Sequence, residues 1–111
     1  MELLTKTIAF PESLDDDSIV KFHRDVKGII ASDTTVILVD FENVEFMSSP
    51  GLMALVVAFK RVREANKKLL LHSVNEQIKM LFELTGMDQI FEVMENPVEV
   101  EDDLKVLMIV S

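Results

Sequence analysis

The chain predicts an α/β fold in a single domain, a parallel or mixed β-sheet covered by helices. Two apolar runs without alternation, Val36–Val39 and Leu69–Leu71, have the composition of strands buried on both faces. Stretches with apolar residues at helical spacing lie before, between and after them. Short connections join the two kinds of segment, and regular strand–helix alternation is the mark of this class. At 111 residues the chain is long enough for one core and too short for two.

Taken in order, Leu3 to Phe10 reads as a first strand, ended by Pro11-Glu12-Ser13. Leu14-Asp15-Asp16-Asp17-Ser18 reads as a helix start, because Asp or Ser can cap free N–H groups and acids favour the first turn. The helix then carries Ile19, Phe22, Val26, Ile29 and Ile30 on one face. Ser32-Asp33-Thr34 breaks it, and the strand ending at Asp40 follows. The next helix places Leu52, Leu55, Val56, Phe59 and Val62 on one side, with Lys60, Arg61, Arg63, Lys67 and Lys68 at and beyond its last turns. After the Leu69–Leu71 strand and His72, Asn75 or Ser73 can cap a helix bearing Ile78, Leu81 and Phe82, and Gly86 is placed to end it. Ile90-Phe91-Glu92-Val93 reads as a last clear strand. Leu104 to Val110 is apolar and fits either a terminal helix or an edge strand.

Acidic residues outnumber basic ones 20 to 11, for a net charge of −9. Such a chain is repelled by phosphate backbones, so nucleic acid is not an expected partner. Cysteine is absent, which removes disulfides and thiolate metal sites and suits a reducing compartment. Met1–Thr7 lacks the basic start and apolar core of a signal peptide, and no apolar run approaches the ~20 residues that span a bilayer. A cytoplasmic protein without a membrane partner is the expectation. The acidic stretch from Glu92 to Asp103 is read as a solvated surface, with steering toward a basic partner as the functional alternative.

Catalytic chemistry is poorly supported. A serine nucleophile needs an activating base, and the only histidines are His23, expected as an exposed helix residue, and His72, at a strand end. Met47-Ser48-Ser49-Pro50-Gly51 lacks the first glycine of Gly-x-Ser-x-Gly. With three glycines in the chain there is no phosphate-binding glycine loop, and no cofactor is expected. Asp15-Asp16-Asp17 reads as a solvated helix start rather than a Mg2+ site. The methionines read as core filler, although Met47 and Met53 flank the serines and could form an adaptable contact surface.

Ser48 and Ser49 are the notable feature, standing at a strand-to-helix junction where a helix presents unpaired N–H groups. Their local reading is a helix cap at Ser49 with Pro50 at the first helical position. A phosphate on such a residue would be tolerated by the helix and would change the surface shown to a partner.

Val36-Ile37-Leu38-Val39-Asp40, followed by Val44-Glu45-Phe46-Met47-Ser48-Ser49-Pro50-Gly51-Leu52, resembles the signature of STAS domains, specifically the bacterial anti-sigma factor antagonists. That family's pattern is an apolar strand ending in Asp, then apolar–x–Phe–Met/Ile–Asp–Ser–Ser/Thr–Gly–Leu. The similarity continues through Lys67-Lys68-Leu69-Leu70-Leu71 and Ile78 to Met87, and covers roughly residues 14 to 94. The resemblance implies a small mixed sheet of about four to five strands with helices mainly on one side. It also implies a non-enzymatic regulator that binds an anti-sigma factor, itself a serine kinase, and so releases a sigma factor. The kinase would phosphorylate Ser49, with Ser48 a second candidate, and a PP2C-type phosphatase would reverse this. Partner contacts would fall on Asp40, Met47, Ser48, Ser49, Pro50, Gly51, Leu52 and Met53, in a monomer or weak dimer.

Two departures stand out. Ser48 occupies the place of the family's aspartate, and Pro50 follows the expected acceptor. The opening also supplies one strand where the family has a pair, which favours a paired C-terminal strand or chain exchange in a dimer. Rival readings are a STAS scaffold that is not phosphorylated and a receiver-like domain phosphorylated on Asp40. The receiver lacks clear acids closing its first strand and a lysine after its last.

Overall fold

The computed structural model describes residues 4–13 and 15–94. Four strands alternate with three helices: β1 (Thr5–Ala9), α1 (Asp16–Ile30), β2 (Val36–Asp40), α2 (Ser49–Glu64), β3 (Lys68–His72), α3 (Glu76–Thr85) and β4 (Glu92–Met94). A 3-10 turn, Met87–Gln89, separates α3 from β4. The strands pair in sequence order, β1-β2-β3-β4, and every described pairing is parallel. The expected fold class therefore holds, with the parallel form among the described residues. The apolar stretch 104–110 lies outside the described residues.

Both faces of β2 and β3 are buried, as their continuous apolar runs predict. One face carries Ile37, Val39, Leu69 and Leu71 into a core shared with Phe22 and Val26 of α1, Leu55 and Val62 of α2, and Ile78 and Phe82 of α3. The opposite face holds a separate cluster of Val36, Leu38 and Leu70, to which no described helix contributes. All three described helices thus lie on one side. Each fully buried large side chain, such as Phe41, Leu71 or Ile78, contributes about 1.5–3 kcal/mol from burial.

Each helix starts and stops for a local reason. Asp15 caps α1 by accepting the Ser18 N–H at 2.7 Å, with Asp16 and Asp17 in the first turn. Asn75 caps α3 through the Ile78 N–H at 2.8 Å. Gly86 ends α3 in the left-handed conformation, φ 77°, which glycine adopts without a side-chain penalty. In α2 the buried face includes the small residues Gly51, Ala54 and Ala58 beside Leu55 and Val62, whereas Leu52, Val56 and Phe59 are only partly buried.

Two expectations need correction. The last strand begins at Glu92 and not at Ile90, because the Ile90 and Phe91 N–H groups both turn back to the Met87 carbonyl at 2.9 Å. Ile90 is consequently exposed, and only Phe91 enters the core. His23 is half-buried rather than exposed. Its Nδ1 is buried without a hydrogen-bond partner among the described residues.

Candidate functional site

The site forms where β2 leaves the sheet. Asp40 ends the strand half-buried, and its Oδ1 accepts the Glu42 N–H at 2.8 Å, which turns the chain. The same oxygen lies 3.7 Å from Nδ1 of His72, its neighbour in register at the end of β3. That ring is 5% exposed, and its Nδ1 is also 3.2 Å from the Ser73 hydroxyl. Phe41 and Val44 then drop into the core, with the Phe41 N–H bonded to the His72 carbonyl at 3.0 Å.

From Val44 to Ser48 the loop is held by a residue distant in sequence. The Asn75 amide donates to the carbonyls of Val44 at 3.2 Å and Glu45 at 2.8 Å, while its oxygen caps α3. One side chain therefore fixes the loop before α2 and starts the next helix. Met47 packs against the core, whereas Phe46 is 71% exposed.

Ser48, not Ser49, caps α2. Its backbone is extended, φ −91° and ψ 171°, and its hydroxyl accepts the Gly51 N–H at 3.3 Å. The difference from the expected cap follows from the Leu52 N–H, which closes the first helical hydrogen bond on the Ser48 carbonyl at 2.9 Å. Ser49 is thereby the first helical residue, and Pro50 the second, where its missing N–H is still one of the helix's unpaired donors.

The consequence is a division of labour between the serines. Ser48 is half-buried and its oxygen is engaged by the helix. Ser49 is exposed, and its hydroxyl makes no hydrogen bond to a described residue. The first turn of α2 contains no acidic residue, so the positive end of its dipole is uncompensated there.

The expected contact residues divide in the same way. Ser49, Pro50 and Met53 are exposed, Met53 at 62%, and Phe46 joins them. Asp40, Met47, Ser48 and Leu52 are half-buried, and Gly51 is buried. The bonds from Asn75 to the Val44 and Glu45 carbonyls and the Asp40–His72 contact were not legible in the sequence, because their partners lie about 30 positions away.

Two titratable groups elsewhere in the molecule are perturbed. The Ser18 backbone N–H, and then the Ser13 and Ser18 hydroxyls, hold the Asp15 carboxyl below its ordinary value. Burial, followed by the nearby Arg61 guanidinium, holds the His23 imidazole below its ordinary 6.5. Among the described residues no three His, Asp or Glu side chains cluster to hold a metal, and no helix is long and apolar enough to cross a membrane.

This fold and junction match a known class of domain. The model for the STAS domain family matches residues 4–102, and the chain belongs to that family. It is 36% identical over 58 residues to the anti-sigma-B factor antagonist of Listeria monocytogenes, a match covering 52% of this chain and 51% of that protein. The chain thus spans about half the length of the relatives it matches in this way. The anti-sigma factor antagonist SpoIIAA in its unphosphorylated form superposes with a TM-score of 0.74 at 18% identity, covering 94% of this chain and 90% of that one. The Bacillus cell fate determinant SpoIIAA in the phosphorylated form gives 0.70 at 19% identity, covering 90% of each chain. At these identities the two superpositions establish the shared fold.

Proposed function

We propose that this protein is an anti-sigma factor antagonist, a regulator without catalytic chemistry of its own, switched by phosphorylation of Ser49. Its partner in this reading is an anti-sigma factor with serine kinase activity, and a PP2C-type phosphatase removes the phosphate. The observation that carries the reading is the exposed Ser49 hydroxyl at the first position of α2, left free by a cap on Ser48. The Listeria relative named as an anti-sigma-B factor antagonist, and the phosphorylated form known for SpoIIAA, support the same direction.

The switch works by charge and desolvation. Unmodified Ser49 sits among Phe46, Pro50 and Met53, a neutral and largely apolar surface suited to close contact with a protein partner. A phosphate there adds nearly two negative charges beside helix N–H groups that tolerate it, so the fold survives. Carrying that charge into an interface costs several kcal/mol, about enough to separate the partners. The half-buried Met47 and Leu52 brace this surface from beneath, and Asp40 fixes the turn that leads to it.

Incubation with the kinase and ATP, followed by mass spectrometry, is expected to place phosphate on Ser49 and not on Ser48. Ser49→Ala should retain partner binding, and Ser49→Asp should weaken it by about tenfold or more. Phosphate absent from Ser49, with Ser49→Asp binding as well as wild type, would instead favour a STAS scaffold that is not phosphorylated.

A further inference from the structure

Among the described residues β1 is an edge strand of the sheet. In a parallel pair, alternate residues direct their N–H and C=O groups to the same neighbour. The Leu4 carbonyl accepts the Val36 N–H at 3.1 Å, and the Phe10 N–H donates to the Asp40 carbonyl at 2.9 Å. The register therefore turns Lys6 and Ile8 toward β2, and turns Thr5, Thr7 and Ala9 outward. Among the described residues no strand lies on that outer side. The strand contains no proline and one charged residue, Lys6, so it lacks most devices that blunt an edge.

Beside this edge runs a groove of about 540 Å3 between β1 and α1, lined in part by Lys6, Ile8, Arg24, Asp25, Gly28 and Asp33. Two cations face two anions there, so the surface is locally neutral although the chain carries −9. Gly28 lies inside α1, where glycine weakens a helix relative to alanine. It is exposed, and a Cβ added to it would meet nothing within 4 Å. Packing within the described chain gives no reason for a glycine, whereas a second body approaching the groove does.

We propose that this edge pairs antiparallel with the same edge of a second copy, about a two-fold axis at Thr7. The outward groups then meet as three hydrogen-bonded residue pairs: Thr5 with the second copy's Ala9, Thr7 with Thr7, and Ala9 with Thr5. On the helix side, Lys6 of each copy falls opposite Ile8 of the other, so the two ammonium groups are not directly opposed. The antiparallel arrangement also runs the acidic start of each α1 (Asp16 and Asp17) toward the Lys27 end of the other, which is electrostatically favourable. A second copy, rather than an unrelated peptide, is the occupant because the charges at the two ends of α1 are self-complementary in this arrangement, whereas the backbone groups alone would accept any extended strand. Five-residue strands bury little area, so the dimer is reversible.

Sedimentation equilibrium from about 10 μM to about 1 mM should show the average mass rising from monomer toward dimer. Thr7→Pro removes an outward N–H and none that bonds to β2, so it should keep the monomer's circular dichroism and weaken association by about tenfold or more. Thr7→Lys should do the same by charge. Amide hydrogen exchange on wild-type protein supplies a reading that does not depend on a variant folding: Thr5, Thr7 and Ala9 should gain protection with concentration. A protein that stays monomeric throughout, folded variants that associate like wild type, or edge amides indifferent to concentration would each overturn the pairing.

Discussion

Ser48 shows how one hydroxyl can serve its neighbour. By accepting the Gly51 N–H it satisfies a donor that the helix leaves unpaired, and Ser49 is thereby free of structural duty. Ser48→Ala is expected to cost about 1 kcal/mol of folding stability in urea denaturation, the usual worth of a helix cap. Ser49→Ala, lacking a described contact to lose, should stay within about 0.5 kcal/mol of wild type. A larger loss at Ser49 than at Ser48 would reverse the assignment of cap and free hydroxyl.

At the scale of elements, the junction is built by contacts between segments that the sequence keeps apart. Asn75 starts α3 and also holds the carbonyls of Val44 and Glu45, so the loop before α2 depends on the helix after β3. Asn75→Ala should remove a cap and two hydrogen bonds together, for about 2 kcal/mol in urea denaturation. It should also speed amide exchange from Val44 to Ser49, which a cap loss confined to α3 would not do. Partner binding is expected to weaken with it, since the exposed Phe46 and Ser49 are carried by that loop.

Across the whole molecule, the helix layer hides a titrating group whose effect reaches global stability. His23 lies half-buried near Arg61, and both influences disfavour its charged form. Its folded pKa is depressed, so the unfolded chain binds the proton more readily. This contribution to stability is present above the unfolded value of 6.5 and is lost as pH falls below it, through the lower folded value. The melting temperature should decline as pH falls below about 6.5, and His23→Gln, which cannot take up the proton, should flatten that decline. An equal slope in the variant would show that other groups carry the effect. Asp15, held low by its Ser18 and Ser13 bonds, belongs to a more acidic window. Its contribution is present above its unfolded value and lost as pH falls through the folded one.

Periodicity and local chemistry determined most of the fold. The uninterrupted apolar runs at Val36–Val39 and Leu69–Leu71, the cap at Asp15 and the stop at Gly86 are signals written within a few residues of where they act. The motif from Asp40 to Leu52 likewise marked the strand-to-helix junction on which the proposed switch rests. Tertiary structure decided what local pattern does not encode. It set which serine caps, through the backbone bond from Leu52 to Ser48, and it ended the 3-10 turn at Phe91 before β4 could begin. It brought Asn75 beneath the loop and His72 beside Asp40, and it half-buried a histidine that helical spacing alone places outside. The physical reason is range. Caps and strands are settled by neighbours one helical turn or one pleat away, whereas desolvation and cross-chain hydrogen bonds depend on which distant segments the packed sheet brings together.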